Sequence, residues 1–159
     1  LKQRSSTFSE VEQIVKLLEH QQAWRSRAGS GTGSIFTLQF GPALFNDHTQ
    51  GEFSLMVYCA WRIVEGSTTI CTWREDAESI LAPMLKDLEG AHVSKANLSE
   101  WGDLTIDFNI GHSLQIWSEA HSEYPENWSI GYQGSGHYSM EIGKGFIYEK
   151  SEPQAANGD

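Results

Sequence analysis

Phe36-Thr37-Leu38-Gln39-Phe40 is followed, 68 residues later, by Leu104-Thr105-Ile106-Asp107-Phe108. Both stretches alternate apolar and polar side chains, the period-two pattern of a strand with one buried face. The similarity extends outward in register. Leu18-Glu19 closes an apolar-periodic stretch, and so does Leu88-Glu89, at an offset of 70. Trp61-Arg62-Ile63 matches Trp128-Ser129-Ile130 at 67, and Gly66-Ser67 matches Gly134-Ser135 at 68. A register that holds through three elements reads as a tandem duplication, with one unit over residues 5–73 and the second over 74–142. The competing account is chance similarity between amphipathic strands.

Each unit opens on a helix signal. Thr7 and Ser9 precede Glu10 and Glu12 by three positions, the capping-box spacing. Phe8, Val11, Ile14, Val15 and Leu18 then recur at three and four, which places them on one face of a helix. In the second unit Ile80, Leu81, Met84, Leu85 and Leu88 do the same, with Gly90 as the stop. Pro83 fits only if that helix starts late or bends there, because proline lacks the N–H that the turn needs.

The remainder reads as strands. Phe53–Val64 is a long β-rich run, and Glu65-Gly66 marks a tight turn into Ser67–Trp73. Ile110-Gly111-His112 turns the chain into Leu114–Trp117, and Gly143-Lys144-Gly145 precedes a short last strand, Phe146–Tyr148. The fold class predicted is α+β: a helix followed by an antiparallel meander, twice over. Some seventy residues with one helix bury too little surface alone. The two repeats are therefore expected to share one core, related by a pseudo-twofold axis, in a single domain over 1–150. Residues 151–159 are polar and expected to be a disordered tail.

Composition bounds the function. The chain has 159 residues, 39% of them hydrophobic, with 18 aromatics and a net charge of −10. That charge excludes nucleic-acid binding through a basic surface. No apolar run reaches the roughly 18–20 residues of a membrane-spanning helix, and no membrane association is predicted. Two cysteines make no disulfide framework, and a cytoplasmic protein with reduced thiols is expected. In the register that the Glu65-Gly66 turn implies, Cys71 faces Ala60 and the two sulfurs point to opposite sides of the ribbon. Arg62 is expected to pair with Asp76.

Motifs for catalysis, metal and cofactors are missing: no P-loop, dinucleotide fingerprint, H-E-x-x-H or nucleophile elbow occurs. No catalytic residue, metal site or cofactor is therefore assigned. Charge is distributed unequally. Residues 1–74 carry 7 Lys/Arg and 6 Asp/Glu, whereas 75–159 carry 4 and 15. No Lys or Arg lies between Lys95 and Lys144, an interval holding Glu100, Asp103, Asp107, Glu119, Glu123, Glu126 and Glu141. Maintaining a fold does not require this asymmetry, although acidic surfaces also serve solubility. A one-signed face speeds encounter with a partner of opposite charge. Exposed aromatics among such charges supply interface anchors. Trp101, Trp117 and Tyr124 lack counterparts in the first unit, so with Glu119, Glu123 and Glu126 they form the predicted partner-binding set.

The sequence from Phe36 to Gly41, the run Ala60-Trp61-Arg62-Ile63-Val64, the stretch Gly102–Phe108 and Glu126-Asn127-Trp128 together resemble small bacterial α+β proteins of unknown function. Some of these are similar to immunity proteins, which block secreted toxins by binding them. The resemblance is one of layout across most of the chain, and it brings no catalytic residues. It implies a cytoplasmic acidic protein that caps a basic toxin domain. The reading from sequence is thus a non-enzymatic binding protein with a basic protein partner. The alternative is a small-ligand domain or enzyme with a pocket between the repeats, using His112, His121 and Glu123. A third reading is a homodimer formed through Phe53–Cys59 as a sheet edge.

Overall fold

The computed structural model describes residues 2–29, 31–119 and 125–152, so the tail expected over 151–159 lies outside the described residues from 153 onward. It consists of two antiparallel sheets with little helix. The first half supplies β1 (Gln3–Ser5), α1 (Phe8–Lys16), β2 (Ala23–Gly29), β3 (Gly33–Ala43), β4 (Gly51–Val57), β5 (Ala60–Glu65) and β6 (Thr68–Thr72). The second supplies a π-turn, Ala77–Leu81, running into α2 (Ala82–Lys86), and then β7 (Val93–Leu98), β8 (Leu104–Phe108) and β9 (His112–Trp117). It ends with β10 (Glu126–Tyr132), β11 (Gly136–Glu141) and β12 (Gly145–Lys150).

Local chemistry sets the helices. Thr7 caps α1, its hydroxyl accepting from the Glu10 amide at 3.2 Å, and Val11, Val15 and Leu18 beneath it are fully buried. At the second helix the Leu81 N–H reaches back five residues to the Asp76 carbonyl at 2.9 Å. That wider turn delivers Pro83 to the first turn of α2, where its missing N–H costs nothing. The extra residue also rotates Ile80 off the apolar face. It stands 37% exposed, not buried with Leu81 and Leu85 as its spacing predicts.

Pairing between strands is where the chain departs from a simple meander. The sheets have the orders β1-β12-β11-β10-β4-β3-β2 and β6-β5-β9-β8-β7. After β4 the first half leaves its own sheet and lays the β5–β6 hairpin against β9 of the second half. After β9 the second half returns the exchange, laying β10–β11 against β4. The helices cross over as well: α1 packs on β7, and α2 packs on β2. Lys16 Nζ donates to the Ala96 carbonyl at 2.6 Å, and Glu89 accepts from the Ser26 amide at 2.8 Å. Each half thereby covers an edge that the other half leaves open.

One buried core results, drawing on both halves and lying between the sheets. Trp61 and Trp128 are completely buried. Their indole N–H groups donate to the Ser34 carbonyl at 2.9 Å and the Gly102 carbonyl at 2.8 Å, respectively. Phe40 and Phe108 stack with centroids 6.3 Å apart.

Three expectations are corrected. The run Phe53–Cys59 is no dimer edge, since β4 sits inside the larger sheet between β10 and β3. The hairpin after β5 turns at Gly66-Ser67, so that Glu65 faces Thr68. A bulge beyond Val64 then brings Cys71 opposite Ile63. Both cysteines are free and buried in the common core, not on opposite sides of the ribbon. Arg62 is exposed and donates through Nε to Gln115 at 2.7 Å, with its guanidinium over the Trp117 ring. Asp76 instead caps the π-turn through the Ser79 amide. The strand β1, exposed at all three positions, carries no apolar signal and is held by pairing with β12.

Candidate functional site

Three connections meet at one end of the sandwich. The β7–β8 turn contributes Glu100, Trp101 and Asp103. The β9–β10 connection contributes Ser118 and Glu119, the start of β10 contributes Glu126, and the link from β4 to β5 contributes Tyr58 and Cys59. Asp103 ties the first two together. Its carboxylate accepts from the Trp101 indole at 2.8 Å and from the Ser118 amide at 3.0 Å. Asn127 ties the others: its side-chain oxygen accepts from the Glu119 amide at 3.0 Å, and its carbonyl accepts from the amides of Tyr58 and Cys59.

Gly102 makes this junction possible. Its φ of +92° is strained for any other residue, and a Cβ there would lie 2.5 Å from Met140 Cγ. Its carbonyl receives both the Trp128 indole and the Ser118 hydroxyl. Trp101 is consequently held on an ordered turn while 69% exposed. An exposed indole fixed in place is the kind of group that anchors interfaces, because little side-chain freedom remains to be lost on binding.

Acids surround it. Glu100, Glu119 and Glu126 are exposed, and Glu126 faces Glu141 across the β10–β11 ladder. Glu141 is 7% exposed, and one of its carboxylate oxygens has no hydrogen-bond partner among the described residues. Burial, followed by the charges of Glu119 and Asp103, pushes the Cys59 thiol up to about 12. Burial and then the Glu126 charge push up Tyr58.

Of the predicted partner-binding residues, Trp101, Glu119 and Glu126 lie at this end. Trp117 lies on the outer face of the smaller sheet beneath Arg62, and Glu123 and Tyr124 fall outside the described residues. Asp107 stands apart on β8, opposite Lys95. Of the alternative pocket set, His112 lies at the start of β9, 3.9 Å from the Glu65 carboxylate, with its Nδ1 buried and unpaired among the described residues. His121 and Glu123 fall outside them. Among the described residues no three His, Cys, Asp or Glu side chains converge on a metal site. No helix there is long and apolar enough to cross a membrane.

Sequence reasoning missed a second feature. The outer face of the larger sheet carries a groove of about 510 Å³, bordered by Arg25, Arg27 and His137 and floored by serines and glycines from several strands. Short polar residues give no periodic signal, and only the pairing of β4 with β10 assembles them. Comparison with protein-family profiles, curated proteins and solved structures gives no match to the chain.

Proposed function

We propose that this chain is a non-enzymatic binding protein that occludes a basic protein partner with its aromatic and acidic end, in the manner of a toxin-neutralising immunity protein. The observation that carries the reading is the Asp103 carboxylate, which fixes an exposed Trp101 and joins its turn to the connection that carries the exposed Glu119. The acids would steer a cationic surface and the indole would supply the buried anchor. The test uses wild-type protein as bait in extract of its native host, followed by association kinetics with the purified captured partner. Neutralising Glu119, Glu123 and Glu126 together should slow association and flatten its salt dependence, and Trp101→Ala should speed dissociation. Unchanged kinetics at low salt, or capture of an acidic partner through the same end, would sink the reading.

The same proposal includes an origin for the fold: two copies of a helix-plus-strand unit of about 68 residues, related by a pseudo-twofold axis around the common core. Hydrogen bonds at matching positions support it. Trp61 to Ser34 corresponds to Trp128 to Gly102. Gly41 N–H to the Gln22 carbonyl corresponds to Asn109 N–H to the His92 carbonyl. Where an axis would pass, matching residues meet each other: Gln22 bridges His92, and Phe40 stacks on Phe108. One copy then acquired the acids.

A further inference from the structure

The groove on the larger sheet is a consequence of register. Arg27, Thr37, Met56, Ser129 and Ser139 lie opposite one another across β2, β3, β4, β10 and β11. Beside them run Gln39, Ser54, Gly131 and His137. Their strand neighbours Phe36, Leu38, Leu55, Val57, Trp128 and Ile130 fill the core, so alternation turns this set outward. An outward sheet face bearing mainly serine, threonine and glycine leaves space where larger side chains would otherwise stand. Its volume, about 510 Å³, is within the range of small-molecule sites.

Charge gives the groove a direction. Arg25 and Arg27 stand at the β2 side. The Arg27 guanidinium has no hydrogen-bond or ion-pair partner among the described residues, and Arg25 donates through one nitrogen to the Thr49 carbonyl at 2.9 Å. Arg25 lies in a register break of β2 with φ +48°, a backbone conformation that costs energy for a side chain of its kind. On the opposite side His137 lies 3.6 Å from Glu149. Glu126 is the one acid among the lining residues, in a chain whose net charge is −10. Gln39 keeps the floor rigid. Its amide nitrogen donates to the Ser54 hydroxyl and its oxygen accepts from the Gly51 amide, both at 3.0 Å.

From this arrangement we infer that the groove is a binding site for a small anionic polyol, a sugar bearing a phosphate or carboxylate. The anionic group sits between Arg25 and Arg27, and the hydroxyls lie over Ser54 and Ser129. Arginine presents several N–H donors in a plane and so pairs with either head group through two parallel bonds. Serine hydroxyls both donate and accept, which suits a ring of hydroxyls that do the same. The span from β2 to β10 is about 14 Å at the usual strand spacing, and arginine side chains reaching inward shorten it to the length of a phosphorylated hexose. The groove shares Tyr58 and Glu126 with the acidic end, but the inference does not rest on that end's protein partner.

The probes are glucose 6-phosphate and glucuronate, with glucose and inorganic phosphate as controls, titrated calorimetrically into the full chain. At least one of the anionic sugars should bind saturably, and each control should bind at least tenfold more weakly. The variant R27Q, at an exposed position, should weaken that binding at least tenfold while leaving the unliganded melting temperature unchanged. S139Q, which narrows the floor from the other side, should weaken the anionic sugar and leave inorganic phosphate unaffected. No saturable binding by either anionic sugar overturns the inference, as does binding that R27Q leaves intact. Equal affinity for phosphate and glucose 6-phosphate overturns the role given to the serine floor.

Discussion

Phe40 and Phe108, 68 residues apart in the chain, stack ring on ring with an interplanar angle of 19°. Phe40 lies in the larger sheet and Phe108 in the smaller, so this pair joins the two sheets as well as the two halves. Truncating either to alanine leaves a cavity in a core with no route to collapse, at a cost of about 3–5 kcal/mol. Because the rings also touch each other, the double variant should cost less than the sum, by roughly 0.5–1.5 kcal/mol. Urea unfolding of the four proteins in a double-mutant cycle measures this, and strict additivity would contradict it.

The exchange of hairpins predicts that neither half folds alone. A fragment of residues 1–74 keeps β4 without β10 and β5 without β9, and it leaves the apolar face of α1 without β7. A fragment of 75–159 has the reciprocal deficits. Each should give a disordered circular dichroism spectrum, and equimolar mixing should restore β-sheet signal. A cooperative thermal transition in either fragment by itself would count against the shared core.

Both thiols should be silent in the folded protein. Burial pushes Cys59 up to about 12 and Cys71 up to about 11, so at pH 8 almost none of either is thiolate, the reactive form. Labelling by an aromatic disulfide reagent should be negligible under native conditions and should reach two groups in denaturant. Rapid native labelling would place a sulfur at the surface.

Acid should loosen the attachment of the first helix. The hydrogen bond from Arg4 holds the Glu10 carboxyl below its ordinary value of 4.5, with the Arg4 charge adding to it. A depressed carboxylate stabilises the fold above its unfolded value, and the contribution fades as pH falls through the lower folded value. The pair is exposed, so its effect is small and screened by salt. Arg4→Gln should shallow the loss of stability below pH 4.5, and the difference from wild type should vanish in concentrated salt. An identical pH profile for the two proteins at low salt would remove this contribution.

Much of the local structure is legible in the residues. The Thr7 cap, the stripe Val11-Val15-Leu18, and the alternation in Phe36–Phe40 and Leu104–Phe108 announce their elements and their buried faces. What failed shares a physical cause. Ile80 misled because a π-turn adds a residue to the helical period, and the Cys71 register misled because a bulge shifts every side chain beyond it. At the candidate interface Trp101 was recognisable as an unmatched aromatic, but its anchoring by Asp103 was not. The serine groove left no trace, since its floor is made of residues far apart in the chain and unremarkable in each strand.

Sequence alone determined which side of the regular elements, α1, β3 and β8 among them, faces the interior, because the transfer of apolar side chains from water imposes a period on the chain that survives without knowledge of any neighbour. The tertiary structure decided which strand lies beside which. A backbone hydrogen-bond ladder is chemically the same for every partner, so alternation selects the face and leaves the neighbour open. The pairing of β10 beside β4 and of β5 beside β9 brings Trp61 and Trp128 into one core. That pairing also assembled the acidic end and the groove.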